Sequence, residues 1–300
     1  MLKEKKRGLE DKLLDIFVYT FLISLIVVTL YPFLNTLAIS LNEGRDSIKG
    51  GIYLWPRQFT TYNYKSLLTN SQIFHAAGVS VARTILTTVF GTFLTAMLAY
   101  VISRKDFVLR KFITFIYVLT MYVEGGLIPT YFLYQRLGLT NNFWVYVLPG
   151  LVAAFNLIIV RTYIKGLPES LIESAKIDGA SEFTIFLKII LPLSKPVLAT
   201  IAIFTAVYHW SAWWDVFLYN SSNPALSTLQ YELMKVLASA NSMSGSMQQG
   251  LSSAAAESSQ ITPRAIRATM TIIVTVPIAV IYPFLQKYFV HGLTLGGVKE

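Results

Sequence analysis

Long apolar runs alternate with short polar or basic stretches along the whole chain. A helix needs about 20 apolar residues to cross a bilayer core. Six runs reach that length, at about 13–39, 76–102, 111–133, 143–163, 187–219 and 267–290. Gly91, Pro149, Gly150 and Pro277 interrupt these runs. Spanning helices tolerate such residues because neighbouring helices re-satisfy the freed backbone groups. The pattern therefore predicts an all-α membrane protein with six transmembrane helices.

The polar stretches between the runs differ in kind. Residues 1–12 form a basic N-terminus, and 13–300 read as one transmembrane domain. The first run is longer than the 7–15 apolar residues of a cleavable signal, so it is expected to remain as a span. Basic groups cluster at Lys3, Lys5, Lys6, Arg7 and Lys12, at Arg104, Lys105, Arg110 and Lys111, and at Arg161, Lys165, Lys176, Lys188 and Lys195. Cytoplasmic loops collect Lys and Arg, which puts these three stretches and both termini inside. The outer segment 41–75 dilutes that signal with Arg45, Lys49, Arg57 and Lys65. The outer segment 220–263 carries only Lys235 and is rich in Ser, Ala and Asn. Residues 291–300 form a short cytoplasmic tail.

Composition agrees with this class. The chain is 54% hydrophobic and 14% charged over 300 residues, against about 25% charged for soluble domains. The net charge of +9 is explained by cytoplasmic loops rather than nucleic acid, since no soluble domain carries a basic stripe. With no cysteine there is no disulfide framework or thiolate metal site. His75, His209 and His291 lie too far apart for a short-spaced metal motif. No G-x-x-x-x-G-K-[ST], H-E-x-x-H or G-x-S-x-G pattern occurs, so catalysis by this chain is not expected.

The stretch 166–196 stands out. It contains LPESLIESAKIDGASEFTIFLKIILPLSKP. Pro168 and Glu169 suit the first turn of a helix and its positive end. Leu171, Ile172 and Ala175 form an apolar stripe, Asp178-Gly179 breaks the helix, and Asp178 can cap the next one. A second helix then runs through Phe183, Phe186, Leu187 and Ile190 to Leu191-Pro192. A plain connector needs no apolar stripe. A cytoplasmic helix with one is better explained as a partner surface.

Glu173-Ser174-Ala175, Asp178-Gly179-Ala180 and Ile190-Leu191-Pro192 resemble the EAA loop of ABC importer permeases, with Ser174 in place of the usual Ala. The surrounding LPESLIESAKIDGAS and PLSKP, the C-terminal GLTLGGVKE at 292–300, SLNEG, and WPRQFTTYNYKSLL at 55–68 resemble the carbohydrate-uptake branch. The GGLIPTYFLYQRLGL stretch at 125–139 is similar to permeases for complex oligosaccharides. This resemblance implies a type I ABC importer permease fold. It also implies a heterodimer with a second homologous permease, two cytoplasmic ATPase subunits that use ATP and Mg, and an extracellular or periplasmic sugar-binding protein. No cofactor is expected on the chain itself. Its place would be the bacterial cell membrane, multi-pass and in contact with lipid. Glu173, Ser174, Ala175, Asp178, Gly179, Leu191 and Pro192 would form the ATPase-coupling element, and the tail would lie against the ATPases.

The fifth run contains Tyr208-His209-Trp210-Ser211-Ala212-Trp213-Trp214-Asp215. Aromatic faces stack on sugar rings and a carboxylate accepts hydroxyl hydrogen bonds, so Trp210, Trp213 and Asp215 are candidate pathway residues. The same aromatics also suit an interfacial belt, and His209 suits packing. Arg83 in the second run either meets the pathway, where it would favour an acidic sugar, or snorkels to headgroups. Glu124 in the third run pairs within the bundle or meets the pathway. Three other classes make different demands on the chain. An ion-driven secondary transporter should show internal repeats and buried relays, a membrane enzyme should show clustered catalytic groups, and an ABC permease for a non-sugar substrate lacks the carbohydrate-branch signatures.

Overall fold

A computed structural model describes residues 9–246 and 262–294. The described residues are helical, apart from one isolated bridge between Asn42 and Phe59. Two compact units emerge, residues 1–69 with 236–273, and 70–235 with 274–300.

The first unit begins with α1 (Leu9–Ser40), a helix apolar on every side and exposed along nearly its whole length. A helix exposed and apolar all round belongs in lipid or against another spanning helix. At about 1.5 Å per residue it is roughly 48 Å long, enough to cross a 30 Å core. A polar knot comes next, containing α2 (Gly44–Ile48) and α3 (Tyr62–Leu68). Asn42 donates to Asp46 and Ser47, each at 3.1 Å, and accepts from the Gln58 amide at 2.8 Å. Asn63 donates to the Ser40 and Asn42 carbonyls at 3.0 and 2.9 Å. Distant residues close the knot: Thr262 donates to Gly44 O, Arg264 to Ser47 O and Thr269 to Ser40 O. Beneath it, Ala38, Ile39, Ile52 and Ala268 form a small apolar cluster. Hydrogen bonds from Asn42 and Arg57 hold the Asp46 carboxyl below its ordinary range, against an opposing effect of burial.

The second unit is built around α4 (Ser71–Ser103), capped by Asn70. Small buried residues on α4, including Ser80, Thr87, Gly91, Ala96 and Ala99, let neighbouring backbones approach closely. A Cβ at Gly91 would stand 3.0 Å from the Leu151 carbonyl oxygen. The third predicted span is not one helix. It divides into α5 (Arg110–Leu119) and α6 (Leu127–Arg136). Gly126 between them takes φ +83°, a left-handed conformation no helix continues through. Each piece has 10 residues, about 15 Å of helix, half of a bilayer core.

The fourth run is two 3₁₀ turns, Phe143–Tyr146 and Leu148–Gly150, followed by α7 (Ala154–Lys165). The bend between them is 41°. Next come α8 (Ser170–Ile177), α9 (Glu182–Ile185), a π-helical turn Phe186–Ile190, and α10 (Leu191–Leu193). A 79° bend at Ser194 leads into α11 (Lys195–Ser211). After it lie α12 (Trp214–Tyr219), α13 (Leu229–Ser246) and α14 (Pro263–Thr294). α4 packs along α11 and α7, burying Ala96, Tyr100, Leu157, Val160, Phe186 and Ile201 among others. Among the described residues, three helices are long and apolar enough to cross a membrane, or five if each bent pair is one span. Of the six predicted runs, the divided third is the one not among these spans. The N-terminal residues 1–8, most of the second half of segment 220–263, and residues 295–300 of the tail lie outside the described residues.

Candidate functional site

The loop between α7 and α11 is a folded unit, and its geometry arises from its sequence. α8 ends at Asp178, and Gly179 takes φ +77°. The Ala180 amide donates to Ala175 O at 2.9 Å and the Gly179 amide to Lys176 O at 3.0 Å. This pair of bonds is a Schellman motif, which satisfies helix carbonyls that would otherwise lack donors. A Cβ at Gly179 would meet nothing within 4 Å, so glycine serves the backbone conformation there and not close approach. The second helix is capped by Ser181, whose Oγ accepts from the Thr184 amide at 3.3 Å. Asp178, the expected cap, instead occupies the C-cap of α8.

The expected apolar stripe is split between two faces. Ile172, 5% exposed, and Ala175 pack inward on the core. Glu173, Ser174, Leu171 and Ile177 face outward, and Ile177 is 87% exposed. The outer face thus presents two apolar side chains, Leu171 at 42% and Ile177 at 87% exposure, in a polar setting. Leu191 is half-buried against the core and Pro192 is exposed.

Charged side chains fasten this loop to the segment after α4. Lys105 pairs with Glu169 at 2.6 Å, and Lys176 pairs with Glu182 at 2.8 Å and Asp106 at 3.5 Å. The hydrogen bond to Glu182 raises the Lys176 ammonium above its ordinary value, and the bond from Lys105 lowers the Glu169 carboxyl. The Glu169 carboxylate, placed to favour the start of α8, is spent on Lys105 and makes no capping bond. Tyr100, 4% exposed on α4, donates its hydroxyl to the Glu182 carboxylate.

Toward the first half of α4 lies a cavity of about 670 Å³. Glu124, Tyr134, His209, Trp213, Trp214 and Asp215 are among the residues on its wall. Trp213, Asp215 and Glu124 thus share one wall. Arg83 and Trp210 do not line it. Arg83 is 1% exposed, forks onto the Asp215 carboxylate, and donates to Ala212 O at 3.3 Å. Its guanidinium also lies over the Tyr146 ring, 4.5 Å from the centroid. Trp210 donates its indole N–H to Val274 O at 2.9 Å and lines a separate apolar groove with Val81, Thr84 and Ile278. His209 is buried with its ring against Gly150, where a Cβ would stand 3.0 Å from Cε1. The Arg83–Asp215 pair links positions 132 residues apart, and no local pattern announces it. The one available signal was a charge inside each of two apolar runs, since such charges pair with one another.

A divided helical bundle, an exposed helix–turn–helix and a cavity walled by aromatic and acidic side chains define a membrane transport subunit. The chain belongs to the family described as binding-protein-dependent transport system inner membrane components, matched over residues 88–294. It is 34% identical over 291 residues to the polygalacturonan/rhamnogalacturonan transport system permease protein YtcP of Bacillus subtilis, covering 97% of this chain and 100% of that one. It is 29% identical over 278 residues to the arabinooligosaccharides transport system permease protein AraQ of Halalkalibacterium halodurans, covering 91% and 92%. Its fold matches a chain in the crystal structure of a bacterial ABC transporter involved in the import of the acidic polysaccharide alginate. That match has a TM-score of 0.84 at 23% identity, covering 95% of this chain and 100% of that one.

Proposed function

We propose that this chain forms half of the translocation pathway of an ATP-driven oligosaccharide importer in the bacterial cell membrane. The outward face of α8 carries the reading. An apolar knob, Ile177, stands 87% exposed on a short helix, locked by a Schellman turn and tied by ion pairs to the end of α4. Such a feature suits a cleft in a soluble partner. The partner is an ATPase subunit, which supplies ATP hydrolysis with Mg, and Glu173, Ser174 and Ile177 meet it. Ala175, Asp178, Gly179, Leu191 and Pro192 hold the element in shape. A second homologous permease completes the pathway, a second ATPase completes the engine, and a binding protein delivers the sugar. In this arrangement the chain makes six membrane passes, the divided third run counting as one, with both termini cytoplasmic.

The names of the relatives support an oligosaccharide derived from plant or algal polysaccharide as substrate. The cavity suits such a ligand. Trp213 offers an aromatic face, and Glu124 and Asp215 offer acceptors to hydroxyl groups. Arg83 serves by holding Asp215 in place and is not available to a sugar carboxylate, so Arg83 lends no support to an acidic substrate.

The test is uptake of labelled oligosaccharides from galacturonan, arabinan and galactan by cells with and without the chain. Uptake of at least one is expected to vanish on deletion, and to return with the wild-type chain but not with Gly179→Leu. Uptake that survives loss of the ATPase subunits and collapses with the ion gradient would instead establish a secondary transporter.

A further inference from the structure

The coupling loop meets α4 near its C-terminal end, and the cavity wall meets it through Arg83 in its first half. Arg83 and Tyr100 are 17 positions apart on that helix, about 25 Å at 1.5 Å per residue. At the loop end, Tyr100 reaches the first residue of α9. Its hydroxyl donates to Glu182, and its ring stacks on Phe186 with centroids 5.8 Å apart. Phe93, two turns back, meets the same Phe186 ring edge-on at 5.8 Å. Glu182 also holds Lys176 of α8 at 2.8 Å, so one carboxylate joins both helices of the loop to α4. The π-helical turn Phe186–Ile190 begins at this contact. Such turns often mark functional positions in helices. At the cavity end, Arg83 holds Ala212 and Asp215, both on the cavity wall. α7 also meets this region, Tyr163 donating to Leu193 O at 3.2 Å, whereas α5 has no fully buried residue and packs there only through half-buried Ile113 and Tyr117.

We propose that Tyr100 and Glu182 form the joint through which the coupling loop and α4 move as one body, delivering loop displacement to the Arg83–Asp215 contact at the cavity. The proposal rests on the importer reading and adds two positioning residues to it. A buried tyrosine hydroxyl donating to a carboxylate is a strong, directional contact. Losing it frees the loop to shift without dragging α4. ATP hydrolysis would then continue while the cavity responds weakly.

The experiment uses the complete importer in proteoliposomes, with this chain, its partner permease, the ATPases and the binding protein. The readout is sugar transported per ATP hydrolysed, for Tyr100→Phe, Glu182→Gln and the double variant. Tyr100→Phe keeps the ring stack and removes only the hydroxyl. We expect each single variant to lower the ratio about tenfold, the scale of one charge-assisted hydrogen bond, and the double to lower it no further. A second readout uses the absence of native cysteine. Spin labels at Val89 on α4 and Phe183 on α9, both exposed, should keep one distance between nucleotide-free and ATP-bound states in wild type, and a broadened one in Glu182→Gln. An unchanged transport ratio, single effects that multiply in the double, or a wild-type label distance that changes with nucleotide would each overturn the joint. A wild-type complex that retains its ATPases but imports no oligosaccharide would count against the importer reading instead.

Discussion

Replacing Gly179 tests whether the loop's shape or its bulk matters. The residue takes φ +77°, and a left-handed conformation costs a residue with a Cβ roughly 1–2 kcal/mol. Nothing lies within 4 Å of a Cβ built there, so no packing cost is added. Reverting to a right-handed conformation would break the two turn bonds of 2.9 and 3.0 Å and pull Lys176 from Glu182. Gly179→Ala and Gly179→Leu should therefore suffer alike, each losing about 1–2 kcal/mol, a factor of roughly 5–30 in the population of the turned loop. Gly179→Asn should recover most of this, because asparagine tolerates the left-handed region. The assay is retention of ATPase subunits on affinity-purified complex, alongside uptake and membrane level by immunoblot. Membrane level should be unchanged and retention should rank wild type, Asn, then Ala equal to Leu. A Leu variant far worse than Ala would show that the docked turn is crowded, and wild-type behaviour of all three would refute the backbone argument.

Asp215→Ala leaves the buried Arg83 guanidinium without its carboxylate, and should lower stability by about 3 kcal/mol, read as thermal unfolding in detergent; a shift within error would show that Arg83 is satisfied elsewhere. Gly91→Ala drives a Cβ to 3.0 Å from the Leu151 carbonyl oxygen, a cost of about 1–3 kcal/mol, visible in the same assay. Trp213→Ala should change sugar selectivity with little loss of stability, whereas Trp210→Ala, which removes the bond to Val274 O, should do the reverse. The Lys176 ammonium is raised above its ordinary 10.5 by Glu182, so its contact is fully present below pH 10.5 and lost as pH rises above it. The Val89–Phe183 label distance should then be constant from about pH 6 to pH 9; a change in that interval would contradict the ion pair.

The loop was legible because its signals are local. Gly179 comes after a helix whose length suits a left-handed stop, and Ser181 precedes an acidic first turn. Its cap was misassigned because Asp178 and Ser181 both suit that role, and only the turn geometry decides between them. The stripe of Leu171, Ile172 and Ala175 divided because a short helix with apolar residues on several faces does not say which one the body of the protein will cover. The division of the third run was hidden because its first helix ends at Leu119 and the second starts only after Gly126 at φ +83°, and hydropathy is blind to backbone angles. At the cavity, the run of aromatic residues announced that something happens near 208–215. It could not say that Trp210 turns toward Val274 while Trp213 turns toward the cavity, because that depends on where α11 ends. The Arg83–Asp215 pair was out of reach for the same reason.

The polar knot of the first unit has a consequence for the birth of the protein. Thr262, Arg264 and Thr269 bond to residues 217–229 positions earlier in the chain. At a synthesis rate of about 5–20 residues per second, roughly 10–45 s separate the two halves of those contacts. Throughout that interval α1 would already sit in the bilayer, with the knot held only by early partners such as Asn63, which donates to Ser40 O, and Gly50, which donates to Ser47 O, while the bonds from Thr262, Arg264 and Thr269 are still missing. The first span is thus a lodger whose attachment is completed only when the last helix arrives. A nascent chain stalled before residue 262 should be the form that membrane proteases remove.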